Sequence, residues 1–321
     1  MKLFRSALAV LISACVATSA AAQTYPSKPI QIIVPYAPGG VTDVLARALA
    51  ARLGEAWGQQ AVVLNRPGGN SQVGTEQAAK APADGYTLLV TSDTTFTANP
   101  YLYSKLKYSA DEFIPISGLG ISPQALVVHP SVPANNLQEL IALAKSGKEK
   151  IFYGTFGIGS SGHLNILNLE QRTGAEFTPV HYSGASPAIT DLLGGHIKMM
   201  IVSIGLIAGH WNSEKLKVLA FGSDKRLARH PDMPVLNETL PGFEAGSWYG
   251  LFVQKGTPAE IVAKISAETQ RIFNDAAFQN QFLTPSYTYS IASTPDVFAD
   301  RIRKESEILR DIIKRTNVSA E

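Results

Sequence analysis

The stretch Ile30-Gln31-Ile32-Ile33-Val34-Pro35-Tyr36-Ala37-Pro38-Gly39-Gly40-Val41-Thr42-Asp43 constrains this chain most. It reads as a short apolar strand, a Pro/Gly turn and a helix carrying Val41, Leu45, Leu49 and Leu53 on one face. A glycine turn feeding a helix leaves backbone N–H groups unpaired at the positive end of the helix dipole, where anions bind without a charged side chain. The competing reading is plainer. Gly39 and Gly40 would then serve only a tight strand-to-helix turn.

Two more alternations follow. Ala61–Leu64 and Tyr86–Thr91 read as strands, with a helix near Gly74–Lys80 between them. That βαβαβ order implies a parallel sheet with right-handed crossovers. The pattern restarts with strands at Ala125–Val128, Ile151–Tyr153, Phe177–Val180, Met199–Val202 and Leu216–Phe221. Helices are expected at Leu137–Lys145, Gly162–Arg172 and Ala188–Leu193. With no polar linker between them, the two α/β units predict a rigid hinge of crossover strands. After a strand at Tyr249–Val253, Thr257-Pro258-Ala259-Glu260 spells a capping box, and Thr294-Pro295 opens the last helix the same way. Both helices are expected to cover the first unit, making it discontinuous.

The start of the chain sets the compartment. A basic Met1–Arg5, an apolar Ser6–Ala17 and Ala20-Ala21-Ala22 read as a secretory signal peptide over 1–22, with the mature chain starting at Gln23. The competitor is a lipoprotein box at Ile12-Ser13-Ala14-Cys15. Cys15 is the only cysteine, so cleavage near Ala22 leaves neither disulfides nor a cysteine nucleophile. The formal charge of +2 includes Lys2 and Arg5, so the mature chain is near neutral. No basic stripe points to nucleic acid, and no later apolar run spans a membrane.

Candidate chemistry gathers in the turns after strands. Gly157-Ile158-Gly159-Ser160-Ser161-Gly162 satisfies G-x-G-x-x-G, but the next strand ends in His181-Tyr182-Ser183 where a ribose-binding acid belongs. It reads instead as a second anion cradle with the Ser160 and Ser161 hydroxyls, or as a serine N-cap. Tyr182-Ser183-Gly184-Ala185-Ser186-Pro187 opens another helix in the same style, and Ser92, Asp93 and Thr94 follow a strand of the first unit. Such edges bind ligands in open α/β sheets. The chain holds no G-x-S-x-G elbow and no helical histidine pair for zinc. His163 is the only histidine beside a candidate site, with a structural or a catalytic role. Asp93 in a strand-end loop suggests a partner for a ligand ammonium.

These motifs, taken in order, resemble the Bordetella-uptake-gene (Bug) solute receptors of tripartite tricarboxylate transporters. The resemblance is carried by Tyr25-Pro26-Ser27-Lys28-Pro29, Pro38-Gly39-Gly40 with Asp43, Asn65-Arg66-Pro67-Gly68, and Asp84-Gly85-Tyr86-Thr87-Leu88-Leu89. Asn99-Pro100, Tyr153-Gly154, Gly159-Ser160-Ser161, Thr190 to Gly195, Leu240-Pro241-Gly242-Phe243, Trp248 to Phe252 and Gly256-Thr257-Pro258 continue it. It implies a type II periplasmic-binding-protein fold: two α/β lobes, joined by two crossover strands, with a ligand cleft between them. The resemblance also implies a non-enzymatic periplasmic receptor that needs no cofactor. Its carboxylate ligand would be pinned by main-chain groups of Tyr36–Gly40 and Ser183–Ser186. His181, Ser183, Asp93 and Val202-Ser203 depart from the usual pattern near the cleft.

The resulting expectations are specific. Lobe 1 comprises 23–122 plus 248–321, and lobe 2 comprises 123–247. The N–H groups of Ala37, Gly39 and Gly40 converge with those of Gly184, Ala185 and Ser186 on one carboxylate. Tyr36, Phe96, Phe156, Tyr182 and Trp248, all near strand ends, line the cleft and favour a dicarboxylate or an aromatic acid. Partners are the small carboxylate and the membrane transporter subunits, not nucleic acid, and the receptor is a monomer. The alternative is an exported hydrolase or isomerase using Ser160 or Ser161 with His163.

Overall fold

The computed structural model describes residues 25–211 and 213–320. The signal-peptide reading and Cys15 therefore lie outside the described residues. The chain runs β1 (Ile30–Val34), α1 (Val41–Trp57), β2 (Ala61–Asn65), α2 (Gln72–Ala79), β3 (Thr87–Ser92), and the short helices α3 (Thr94–Thr97) and α4 (Asn99–Leu102). Then follow β4 (Phe113–Val128), α5 (Leu137–Lys145), β5 (Phe152–Thr155), α6 (Ser161–Thr173), β6 (Thr178–His181), α7 (Ala185–Leu193), β7 (Met199–Ser203) and α8 (Ile204–Ile207). The last elements are β8 (Lys217–Phe221), α9 (Leu236–Thr239), β9 (Gly246–Gln254), α10 (Ala259–Phe273), α11 (Ala276–Phe278), β10 (Tyr289–Ser290) and α12 (Pro295–Thr316).

The strand order is β2-β1-β3-β9-β4-β7-β5-β6, with β8 and β10 also on β4. β1 is parallel to β2 and β3, and β5 is parallel to β6 and β7, as the alternation requires. Two antiparallel strands join these parallel sets. The first half of β4 pairs with β9 and its second half with β7 and β8, so one strand passes through both lobes. The strand read at Ala125–Val128 is thus only the second part of a longer one. Its register against β9 shifts between Pro115 and Ser117 and between Gly118 and Gly120. Such irregularities bend a strand and deepen its twist.

Period-two alternation gives each lobe two buried faces. Ile32 joins Leu45, Leu49, Leu251 and Ile265 on one face of lobe 1, while Ile33 joins Phe96, Phe252 and Phe298 on the other. In lobe 2 the adjacent Leu126 and Val127 divide in the same way, toward Ile166 and Phe243 or toward Leu192 and Phe221. Both lobe 1 cores draw on the two ends of the chain. One segment crosses over: Tyr287 packs in the lobe 2 core, and its hydroxyl lies 3.0 Å from His230 Nε2. α12 also touches both lobes, since Ile312 and Ile313 close a cluster with Leu102 and Leu164.

The capping box at Thr257 does not form. The helix begins at Ala259 after Pro258, and Thr257 Oγ1 donates to the Gln254 carbonyl instead. Thr294 occupies the N-cap of α12 without a side-chain cap bond.

Candidate functional site

Five strand ends, those of β1, β3, β5, β6 and β7, carry the expected turns. In the first, Ala37 to Gly40 are exposed and Gly40 is the N-cap of α1. Gly39 adopts φ +89°, where a side chain is strained. Its N–H is not open to a ligand. It donates to Asp43 Oδ2 at 3.0 Å, and Arg47 and Asn65 donate to the same carboxylate. Burial opposes the Asp43 charge, but these donors together outweigh it and hold its carboxyl below the usual range. The expectation that the Gly39 N–H meets the ligand is corrected on this point.

Behind the turn lies a hydroxyl network. Half-buried Tyr36 places its hydroxyl 2.7 Å from Ser92 Oγ and 3.1 Å from Thr95 Oγ1. Thr95 in turn meets Thr91 and Ser71, and Tyr108 donates to the Thr95 carbonyl. Ser71 and Tyr108 escaped the sequence reading because their partners come from separate loops.

The second turn mirrors the first. Gly159, at φ +73°, donates its N–H to His163 Nδ1 at 3.0 Å. Burial, with a smaller contribution from the neighbouring His181, lowers the His163 pKa to about 4, so the imidazole is neutral at physiological pH. Its Nδ1 is taken up within the turn itself. Ser160 holds the N-cap of α6 without a cap bond, and its Oγ is buried with no protein partner among the described residues. Ser161 Oγ accepts from Gln124 and Ser247, which ties α6 to both crossover strands. Neither serine is bonded to an imidazole, so no nucleophile–base pair exists here.

In the third turn, Gly184 is the N-cap of α7, with Ala185 and Ser186 in its first turn and exposed Ser183 just before it. The first N–H groups of such a helix have no partner within it. Ser203 ends β7 and, with Gly39, lines a cavity of about 420 Å³ between the lobes.

Most of the expected aromatic lining belongs elsewhere. Phe96 is 4% exposed and packs on Tyr108, Phe113 and Phe252. Trp248 is 1% exposed, stacks edge-on against Phe298, and donates its indole N–H to Glu305. Tyr182 packs on the lobe 2 core and donates to Asp191. Tyr36 and Phe156 remain half-buried at the turns, Tyr36 packing against the lobe 1 core and Phe156 lying over Gly162. Asp93 is also corrected. It is buried and accepts from the Thr94 N–H. Burial, then the nearby Glu305 charge, raises its pKa, which disfavours the ionised partner an ammonium needs. With Thr94, Ser161 and Trp248 it lines a separate cavity of about 570 Å³ against α12.

Two lobes on crossover strands, with glycine turns at the strand ends and no serine–imidazole pair at the α6 turn, match a known set of proteins. Residues 45–317 match the tripartite tricarboxylate transporter family receptor. The chain belongs to that family. This receptor is 34% identical over 308 residues to the protein BugT of Bordetella pertussis strain Tohama I, covering 94% of each chain. Its fold is similar to R. palustris Rpa4515 with adipate, at a TM-score of 0.80 and 28% identity over 92% of this chain and 99% of that one. MatC (Rpa3494) from Rhodopseudomonas palustris with bound malate gives a TM-score of 0.75 at 29% identity, over 90% and 100%. The receptor thus has the two-lobed periplasmic-binding-protein fold and is a solute-binding protein rather than an enzyme. No helix among the described residues is long and apolar enough to cross a membrane.

Proposed function

We propose that the chain captures a small carboxylate, a dicarboxylate or an aromatic acid, by closure of lobe 1 (23–122 plus 248–321) on lobe 2 (123–247). It then delivers the ligand, as a monomer, to the membrane subunits of a tripartite transporter. A signal peptide cleaved near Ala22 puts it in the periplasm. The observation that carries this reading is the shared frame: related proteins holding adipate and malate superpose on nine-tenths of this chain. The donors left for the carboxylate are the Ala37 and Gly40 N–H groups and the first turn of α7, all uncharged, as suits a ligand that must be released again.

Calorimetry of the purified protein with adipate, malate, benzoate, citrate and aspartate tests this. Saturable one-to-one binding of at least one acid is expected, with a smaller radius of gyration in the bound form. Silence across the panel would sink the proposal. Tightest binding to aspartate, lost in Asp93→Ala, would restore the ammonium role to Asp93.

A further inference from the structure

α12 is held to both lobes. Phe298, near its start, belongs to the lobe 1 core, while Ile312 and Ile313, near its end, pack with Leu164 and Leu167 of α6. Between these anchors the helix lies over the cavity of about 570 Å³, whose wall includes Ile121 and Trp248 of the two crossover strands. A change in the angle between the lobes is therefore taken up by α12 or breaks one of its two seats. Trp248 gathers two carboxyl groups at this place. Its carbonyl accepts the Asp93 N–H at 3.0 Å, and its indole N–H donates to Glu305 of α12. The neighbouring Ser247 donates to Ser161 of α6 at 2.9 Å and also lies beside the Asp93 carboxyl, favouring its charge. Contacts thus run from α12 through β9 to lobe 2.

The surrounding charges do not neutralise this pair. Among the described residues no cation is bonded to either carboxyl. Lys304 is bound to Asp300 at 2.6 Å, and Arg301, one turn from Glu305, attracts it while its own Nε is buried without a partner. Glu244, just before β9, adds a further negative charge, and the phenol of Tyr249 on β9 feels that of Asp93. α6 offers only the uncharged Ser161, Leu164, Asn165 and Asn168 to the cavity, and α3 only the Thr97 hydroxyl to Glu305. Two carboxyls enclosed together without a bonded cation do not both ionise at the usual pH, so the pair keeps a proton. Burial, then the Glu305 charge, raises the Asp93 pKa to about 8, and burial raises that of Glu305 as well.

We propose that Asp93 and Glu305 form a proton-dependent latch between the hinge and α12. With one proton shared between them, α12 stays seated on both lobes. As pH rises and that proton is lost, repulsion moves Glu305 away from Asp93 and loosens the middle of the helix from the hinge. Arg301, whose Nε has no other partner, then takes up the freed carboxylate. The link between the lobes thus responds to pH before any ligand arrives.

The test follows the Trp248 indole N–H resonance of the unliganded protein from about pH 5 to about pH 9.5, a range that spans the shifted titration. The chain has three tryptophans, so Trp57→Phe and Trp211→Phe identify the Trp248 signal by elimination. A midpoint above about pH 6 is expected, beyond the range of an ordinary carboxylate. Asp93→Asn or Glu305→Gln leaves a single carboxyl and should lower the midpoint by about one unit, whereas Arg301→Gln should raise it. Amide hydrogen exchange in α12, corrected for the intrinsic effect of pH, should quicken about tenfold through the wild-type midpoint and stay flat in Glu305→Gln. Thermal unfolding near neutral pH checks that each variant folds; Asp93→Asn carries the same comparison if Glu305→Gln does not. An indole resonance that stays still above pH 6, midpoints equal in all variants, or α12 protection unchanged across the titration would each overturn the latch.

Discussion

The turn before α1 and the turn before α6 are built alike and differ in one charge. In each, a glycine at positive φ donates its N–H to a side chain four residues downstream, at 3.0 Å. At α1 that side chain is the ionised Asp43; at α6 it is the neutral His163. The first therefore brings an internal anion to a helix N-terminus and offsets its dipole, whereas the second leaves the dipole uncompensated. A glycine turn in front of a helix is thus only half an anion site. The helix's own first-turn side chains decide how much of it a ligand receives.

The comparison breaks most visibly with pH. The His163 pKa is depressed in the folded state, so its contribution is present above the unfolded value near 6.5 and is lost as pH falls toward 4. Stability should drop by about 3 kcal/mol across that window from this group. Urea unfolding of the wild type and His163→Asn at pH 7 and pH 4.5 measures it: the gap between them should shrink at low pH. Parallel profiles would mean that the neutral imidazole is not what holds the α6 turn.

A smaller effect concerns the ligand. A Cβ at Gly40 meets nothing closer than the Ala37 carbonyl at 4.0 Å, and its φ of −75° suits any residue. Gly40→Val should fold normally yet place bulk over the donors, weakening ligand binding at least tenfold, roughly 1.4 kcal/mol. Unchanged affinity would remove the α1 turn from the site. The smallest effect sharpens the contrast itself. Asp43→Asn keeps an acceptor for Gly39 but removes the internal anion, and should tighten carboxylate binding by about 0.5 kcal/mol, roughly twofold. Weaker binding in that variant would show that Asp43 orders the turn more than it competes with the ligand.

Much of this fold was legible from periodicity. β1 and α5 fall at the expected residues, and most other elements differ by a few positions at their ends. The short helices α3 and α4 were not, because Thr94–Leu102 has too few turns for a helical period to register. The continuity of β4 was hidden by Pro115, Pro123 and two glycines; the sheet accommodates Pro115 and the glycines at register shifts. At the site, the turns were readable and their occupants were not. Asp43 and His163 lie four residues past their glycines, yet only the folded geometry shows that they take up those N–H groups. Phe96 and Trp248 were misassigned because a strand end can face a cleft or a core, and local sequence does not say which.

The shared crossover strands also set the order in which the chain can mature. β3 gains its partner on one side only when β9 arrives, more than 150 residues later, and α10 and α12 complete the same cores. Lobe 2 draws most of its core from one contiguous segment, so its contacts close sooner and at a lower entropic cost. Lobe 1 is therefore expected to become native last and to present unpaired strand edges longest. A chain truncated before β9 would keep much of lobe 2 and lose lobe 1 altogether, so damage at the C-terminus is felt at the turn that follows β1.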